Sequence, residues 1–282
     1  MMQTRQQQQP GLLRTSAIGD IIDASIILVT QARSALLADT LSSAVSQKDV
    51  DFEIVLAGEL PHDRSPVLTD LLLDDRVRVE PSHGASGPAA AANLAVRSAH
   101  GPWIAFLAEC DLWAPWHLAT LVGACEDQGA DFGYSASWVV DEDRCIRGFR
   151  TVPPPQVLAG ALLAEDAIGT MSCVVARREL FGRAGGFDEW LTVLASWDLW
   201  LRWSRAGRAC MVSEATVATT LIAPTAAHRR ELRELRRRYR GDARQLRVRF
   251  GHAVRGTSMS EPLAGVRPPW LEDQLGAPRK ST

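Results

Sequence analysis

The stretch 101-GPWIAFLAECDLWAPWHL-118 decides the fold. An apolar run from Trp103 to Ala108 stops abruptly at Glu109 and Asp111, and Pro115 then stands where a new helix would open. Continuous apolarity over strand length, with no alternation, predicts a strand covered on both faces. Such strands build open α/β sheets, whose ligands bind beyond the carboxyl ends of the strands. Glu109 and Asp111 are therefore candidate site acids by position alone.

Working outward, the same signature recurs upstream in SIILVT, Ser25 to Thr30, and FEIVLA, Phe52 to Ala57. Between them Leu36, Leu37, Leu41 and Val45 repeat at helical spacing, which predicts a βαβ unit. A helix over Pro66 to Leu73, a short strand from Arg76 and a loop bearing Gly84 and Gly87 follow. Gly84 and Gly87 either present backbone N–H groups to a phosphate or simply turn the chain into the helix that Pro88 opens. Downstream the spacing predicts a helix from Pro115 to Gln128 and a strand over Phe132 to Val140. Pro153 to Pro155 mark a loop, and the alternation breaks there. Met171 to Ala176 reads as a buried strand, Arg177 to Arg183 as a short helix and Gly185 to Phe187 as a turn. The next helix carries Trp197, Trp200, Leu201 and Ser204 on one face and stops at Gly207. Two further apolar segments, from Cys210 and from Thr216, return to the sheet.

The chain has 282 residues, 46% hydrophobic and 23% charged, with a formal charge of -2. That composition fits a soluble mixed α/β domain and gives no whole-chain attraction to nucleic acid. Its five cysteines show no C-x-x-C pair, so neither a disulfide framework nor a zinc knuckle is indicated and a reducing cytoplasm is the default expectation. No apolar run reaches membrane-spanning length, and the Gln-rich start lacks the apolar core of a signal peptide. Residues 1–23 are expected to be disordered. From His228 to Phe250, ten arginines stand against Glu231, Glu234 and Asp242, with Leu232, Leu235 and Tyr239 on one stripe. This predicts a basic amphipathic helix, assigned to residues 224–250 and followed by a loose tail over 251–282 that Trp270 pins. The helix either packs its leucine stripe on its own domain or holds the protein on anionic lipid.

Taken together, SIILVT with its following helix, FEIVLAGE, GASGPAAAANLAV leading into GPWIAFLAECDLWAPWHL, and SCVVARRELFGRAGGFDEWL running into SWDLWLRWSRAG resemble family 2 glycosyltransferases. The resemblance covers roughly Ser25 to Ile222 and implies the GT-A fold: a mainly parallel Rossmann-like sheet flanked by helices, one domain over residues 24–223. It also implies transfer of a sugar from a nucleoside diphosphate donor, usually with Mn or Mg, to a small-molecule, lipid-linked or glycan acceptor. A hard divalent ion clamped by carboxylates would neutralise the departing diphosphate.

The family's functional positions are largely substituted. Alignment on DLWAPWHL puts Ala108 and Cys110 where two metal-site aspartates normally stand, with Asp111 retained. Glu109 and Asp111 form either a shifted clamp or a plain acidic turn, and His228 is the candidate for the metal-binding histidine of many GT-A enzymes. The resemblance places Thr30, Arg33, Glu59, Asn93, Asp111, Gly185 and Gly186 toward the donor. Ser196 occupies the position of the general base, and Asp188 and Glu189 are the acids that could replace it, the alternative for them being a helix-capping turn. Asp198, two residues along the helix, points elsewhere and is read as structural. Two functions remain open: a divergent glycosyltransferase, cytoplasmic and either free or peripheral on the inner face of the membrane, or a non-catalytic relative that binds a sugar, a nucleotide or a partner enzyme.

Overall fold

Seven consecutive residues of β1 (Ala24–Gln31) are buried and only Gln31 is exposed, as a strand flanked on both sides requires. The computed structural model describes residues 22–31, 34–62, 65–80, 87–141, 145–220, 225–243, 259–260 and 268–271. The expectations for residues 1–21, Arg33, Gly84 and the arginines beyond Ala243 fall outside them. Parallel to β1 on its two sides run β2 (Phe52–Glu59) and β4 (Trp103–Ala108), and β3 (Val77–Glu80) extends the sheet from β2. The register aligns Gln31 with Glu59 and Val29 with Ala108, so these strands end along one edge.

Helix α1 (Ser34–Val45) connects β1 to β2, and α2 (Pro66–Leu71) precedes β3. The chain then crosses through α3 (Pro88–Ser98) to the other side of β1 and enters β4. Strand order therefore reverses at β1, which opens a crevice there. The strand β4 ends in a turn, and β5 (Leu112–Trp113) follows, ahead of α4 (His117–Gln128). Gln47 fixes that helix start: its amide donates to Ala114 O at 2.8 Å and accepts from Leu118 N–H at 2.9 Å. The helix thus begins at His117 rather than Pro115. His117 is fully buried, stacks on Trp113 at 4.5 Å and meets Thr216 Oγ1 at 2.7 Å. Burial pushes its pKa down to about 3, so it is a neutral packing residue.

Beyond β4 the sheet changes character. β6 (Phe132–Val140), β7 (Ile146–Arg150), β8 (Val174–Arg177) and β9 (Ala209–Thr220) complete it, with Met259–Ser260 (β10) at its edge. β8 is antiparallel to β4 and β6, β7 to β6, and β5 to β9, while β6 and β9 are parallel. The GT-A-type α/β architecture is present, with β1 to β4 all parallel and the strands beyond them mixed, parallel between β6 and β9 and antiparallel elsewhere among the described strands. Pro155 opens α5 (Pro155–Ala164) as its first residue, a helix where the proline run predicted only a loop. The two return segments are one strand, β9.

Helices α6 (Arg178–Ala184) and α7 (Ala195–Ala206) pack on the central strand through an aromatic cluster. Phe106 of β4 meets Phe187 edge-on at 5.1 Å and lies 6.3 Å from both Trp200 and Trp203. Helix α8 (Ala226–Arg238) follows β9, capped by Thr225, whose hydroxyl accepts from His228 N–H. Near the end of the chain, Trp270 and Leu271 are buried against Leu112, Ala114, Val140 and Ala218.

Candidate active site

Two adjoining cavities open at the carboxyl edge of β1, β2 and β4, and both are lined by Val29, Gln31 and Pro88. The smaller, about 370 Å³, lies over the β1–β2 ends and is walled by Thr30, Gly58, Glu59 and Gly87. Gly58 has φ of 110°, and a Cβ there would sit 2.2 Å from the Thr30 carbonyl oxygen. No other residue fits that turn, which sends Glu59 to the rim. The larger cavity, about 420 Å³, lies over the β1–β4 ends and reaches Thr170, Phe187, Ser196 and Thr225.

The turn after β4 separates the two acids of the opening stretch. Cys110 takes φ of 91° and Asp111 N–H donates back to Ala108 O at 3.1 Å. Glu109 stays on the cavity side, its carboxylate accepting from Gln31 N–H at 2.6 Å. Asp111 turns inward and is 4% exposed. Its oxygens accept from the hydroxyls of Thr170 and Ser172, both at 2.6 Å, and from Thr220 N–H at 3.3 Å. Burial raises its pKa in spite of those donors. Asp111 is thus a brace between β4, β9 and the 170–172 segment, and it lines neither cavity.

Asn93 is likewise corrected. Its amide donates to Phe187 O at 3.0 Å and to Glu189 Oε1 at 2.9 Å, while its oxygen accepts from Phe187 N–H at 2.9 Å. It clamps the glycine loop and lines neither cavity. Gly185 and Gly186 do not line the cavities either. Gly186 lets the loop approach Asn93, whose oxygen would lie 2.4 Å from an added Cβ, and Arg202 binds the carbonyls of Ala184, Gly185 and Gly186.

Of the acids considered as replacements for a base, Asp188 pairs with Arg238 at 2.8 Å and accepts from Trp190 N–H. Glu189 is held by Asn93. Neither reaches the larger cavity, where Ser196 stands on the first turn of α7. Asp198 is buried under α7, accepting from Arg202, Arg238 and Tyr239. His228 lies in the first turn of α8 and lines neither cavity.

The sequence reading missed Glu231. This acid of α8 is 2% exposed, and its carboxylate accepts from the N–H groups of Thr192, Val193 and Leu194, each at 2.9 Å, and from the Thr192 hydroxyl at 2.7 Å. Burial opposes the charge, but these bonds outweigh it and lower the pKa. Leu194, the residue at the N-cap of α7, offers no side-chain cap, so Glu231 supplies the negative group that the helix start requires. Its placement four residues before Leu235, on the buried stripe, was the available signal.

A sequence model described as Glycosyl transferase family 2 matches residues 25–183, more than half of the chain. The chain belongs to this family. Among curated relatives of this family 2 protein, the succinoglycan biosynthesis protein ExoO of Rhizobium meliloti is 27% identical over 188 residues, covering 63% of this chain and 54% of that protein. WfaP of Escherichia coli, named a UDP-Glc:alpha-D-GlcNAc-diphosphoundecaprenol beta-1,3-glucosyltransferase, is 26% identical over 153 residues, covering 54% of this chain and 60% of WfaP. The chain thus spans between half and two thirds of the length of these relatives. Residues 1–349 of S. aureus TarS, solved with UDP, share the fold at a TM-score of 0.60 and 17% identity, covering 77% of this chain and 64% of that one.

Family 2 enzymes often use a divalent ion, and the paired clamp expected from Glu109 and Asp111 does not fit one here, because Asp111 is committed to internal donors. Among the described residues no group of three or more His, Cys, Asp or Glu could hold a metal. Among the described residues, Glu59 and Glu109 are the carboxylates that line the two cavities, one in each.

Proposed function

We propose that this family 2 protein is a nucleotide-sugar-dependent glycosyltransferase, with the nucleotide in the smaller cavity and the transferred sugar and acceptor in the larger. The observation that supports this reading is the pair of adjoining cavities at the strand-order reversal, with a carboxylate at the rim of each. In this reading Glu59, at the rim of the smaller cavity, accepts hydrogen bonds from a ribose or base. In the larger cavity an acceptor hydroxyl attacks the anomeric carbon, the nucleoside diphosphate leaves, and the hydroxyl proton must be taken up. Ser196 is a neutral alcohol, so Glu109 is the carboxylate assigned to that proton, a contribution on the order of 10²- to 10⁴-fold.

The names of the relatives support a UDP-linked donor and a lipid-diphosphate acceptor. In this reading Mn or Mg, where used, is held mainly by the diphosphate and water, with few protein ligands. A second reading, a non-catalytic sugar- or nucleotide-binding relative, is favoured by Ser196 at the base position and by the commitment of Asp188 and Glu189 to structural partners. Calorimetry with UDP, GDP and TDP, with and without Mn, followed by assay of donor hydrolysis, separates the readings. Nucleotide binding with hydrolysis supports the enzyme, binding without turnover the second reading, and no binding overturns both.

A further inference from the structure

Two thiols meet inside the molecule, away from the cleft. Cys125 stands in the last turn of α4 and Cys210 is the second residue of β9, and both are fully buried. They are 85 residues apart in the chain, yet their sulfur atoms lie 3.1 Å from each other. Strand β6 makes the room for them. Gly133 is aligned with Cys210 in the β6–β9 register, and a Cβ at Gly133 would lie 2.6 Å from the Cys125 sulfur and 3.0 Å from that of Cys210. The sulfur pair thus fills the space that a side chain at position 133 would take. In a close-packed interior that arrangement fixes both thiols in one place.

As thiols the two contribute little to each other, because S–H is a weak donor and sulfur a weak acceptor. A covalent bond between them needs a further approach of about 1 Å, since disulfide sulfurs stand about 2.05 Å apart. The position of Cys125 also gives a small oxidant its way in. Helix ends open more readily than helix centres, and the turn that carries Cys125 is the one that stops at Gly129.

We infer that Cys125 and Cys210 are a reversible dithiol–disulfide couple, which a peroxide closes and which then staples α4 to β9. One sulfur, as the thiolate, attacks a peroxide oxygen, the O–O bond breaks, and the first water leaves behind a sulfenic acid. The second sulfur attacks the sulfenic sulfur, the S–O bond breaks, and the oxygen departs as a second water with the remaining protons. Two thiols and one hydrogen peroxide give one disulfide and two waters, the sulfurs being oxidised and the peroxide reduced. A dithiol reductant reopens the bond by exchange. The staple joins points 85 residues apart, a span over which cross-linking restricts the unfolded chain strongly. Neither cysteine lines either cavity, so the couple acts on the stability of the fold and is independent of the transferase reading.

The test treats the full chain with hydrogen peroxide, alkylates it in denaturant, digests it without reduction and weighs the peptides. A peptide pair joined through Cys125 and Cys210 is expected, about 2 Da lighter than the two thiol peptides together, and dithiothreitol should separate it. The oxidised chain should melt about 5 °C above the reduced one, and the gain should vanish on reduction. Cys125→Ser and Cys210→Ser should each abolish both the joined peptides and the peroxide-dependent gain. The peptide and melting readouts are taken on the unaltered chain, so a variant that fails to fold leaves the test intact. No joined peptide in excess peroxide, a bond through Cys110, Cys145 or Cys173 in its place, or a joined chain that melts no higher than the reduced one would each overturn the inference.

Discussion

Glu109 and Asp111 are two residues apart and do different work. Glu109→Gln keeps the shape of the cavity and removes the carboxylate, so turnover of a UDP-sugar should fall by about 10²-fold or more while calorimetric UDP affinity changes little. Asp111→Ala leaves the Thr170 and Ser172 hydroxyls without their acceptor in the interior, and stability in urea should drop by about 3 kcal/mol. A variant that loses activity but not stability at Asp111 would contradict its role as a brace. The sequence could say that acids follow β4; it could not say which way each points. That depends on the φ of 91° at Cys110 and on donors contributed by Thr170, Ser172 and Thr220, all distant in the chain. Asn93 was assigned to the donor for the same reason, since its partner Phe187 lies 94 residues further on.

At the scale of elements, the buried strands were legible because both faces of β1, β2 and β4 are covered, which forces continuous apolarity. β7 and α5 were not, one being short with Gly148 in its middle, the other opening behind prolines that also mark loops. Charge counting concealed Glu231, whose negative charge was set against the arginines around it. Glu231→Gln should accelerate amide exchange at residues 192–194 by tenfold or more and lower stability by about 2 kcal/mol. With its pKa lowered in the folded state, the same clamp is fully formed above the ordinary carboxyl range and is lost as pH falls below about 4.5. At the opposite end of the sheet Glu53 accepts from Ser25 Oγ and His100 N–H at 2.6 Å and pairs with Arg78. Burial opposes its charge, yet these partners together bring its pKa down to about 2. Its contribution, on the order of 3 kcal/mol, is present above pH 4.5 and disappears as pH falls toward 2, so Glu53→Gln should flatten the acid limb of the stability curve.

For the whole molecule, the reading of one α/β domain holds, and α8 is tied into it through Glu231, Leu235 and Tyr239. Trp270 and Leu271 close a small core over β5 and β9, so Trp270→Ala should cost about 3 to 5 kcal/mol, measured by thermal unfolding, with UDP affinity at saturating fold retained. The walls of the larger cavity carry a further consequence. One wall comes from residues up to Cys110 and the other from Gly169 onward, and no described residue between them lines either cavity. The left-handed turn at Gly129, between α4 and β6, lies in that silent interval. A recombination crossover placed there would inherit the two walls from different parents without cutting either, so shuffling among family members could exchange one half of the pocket while keeping the other intact.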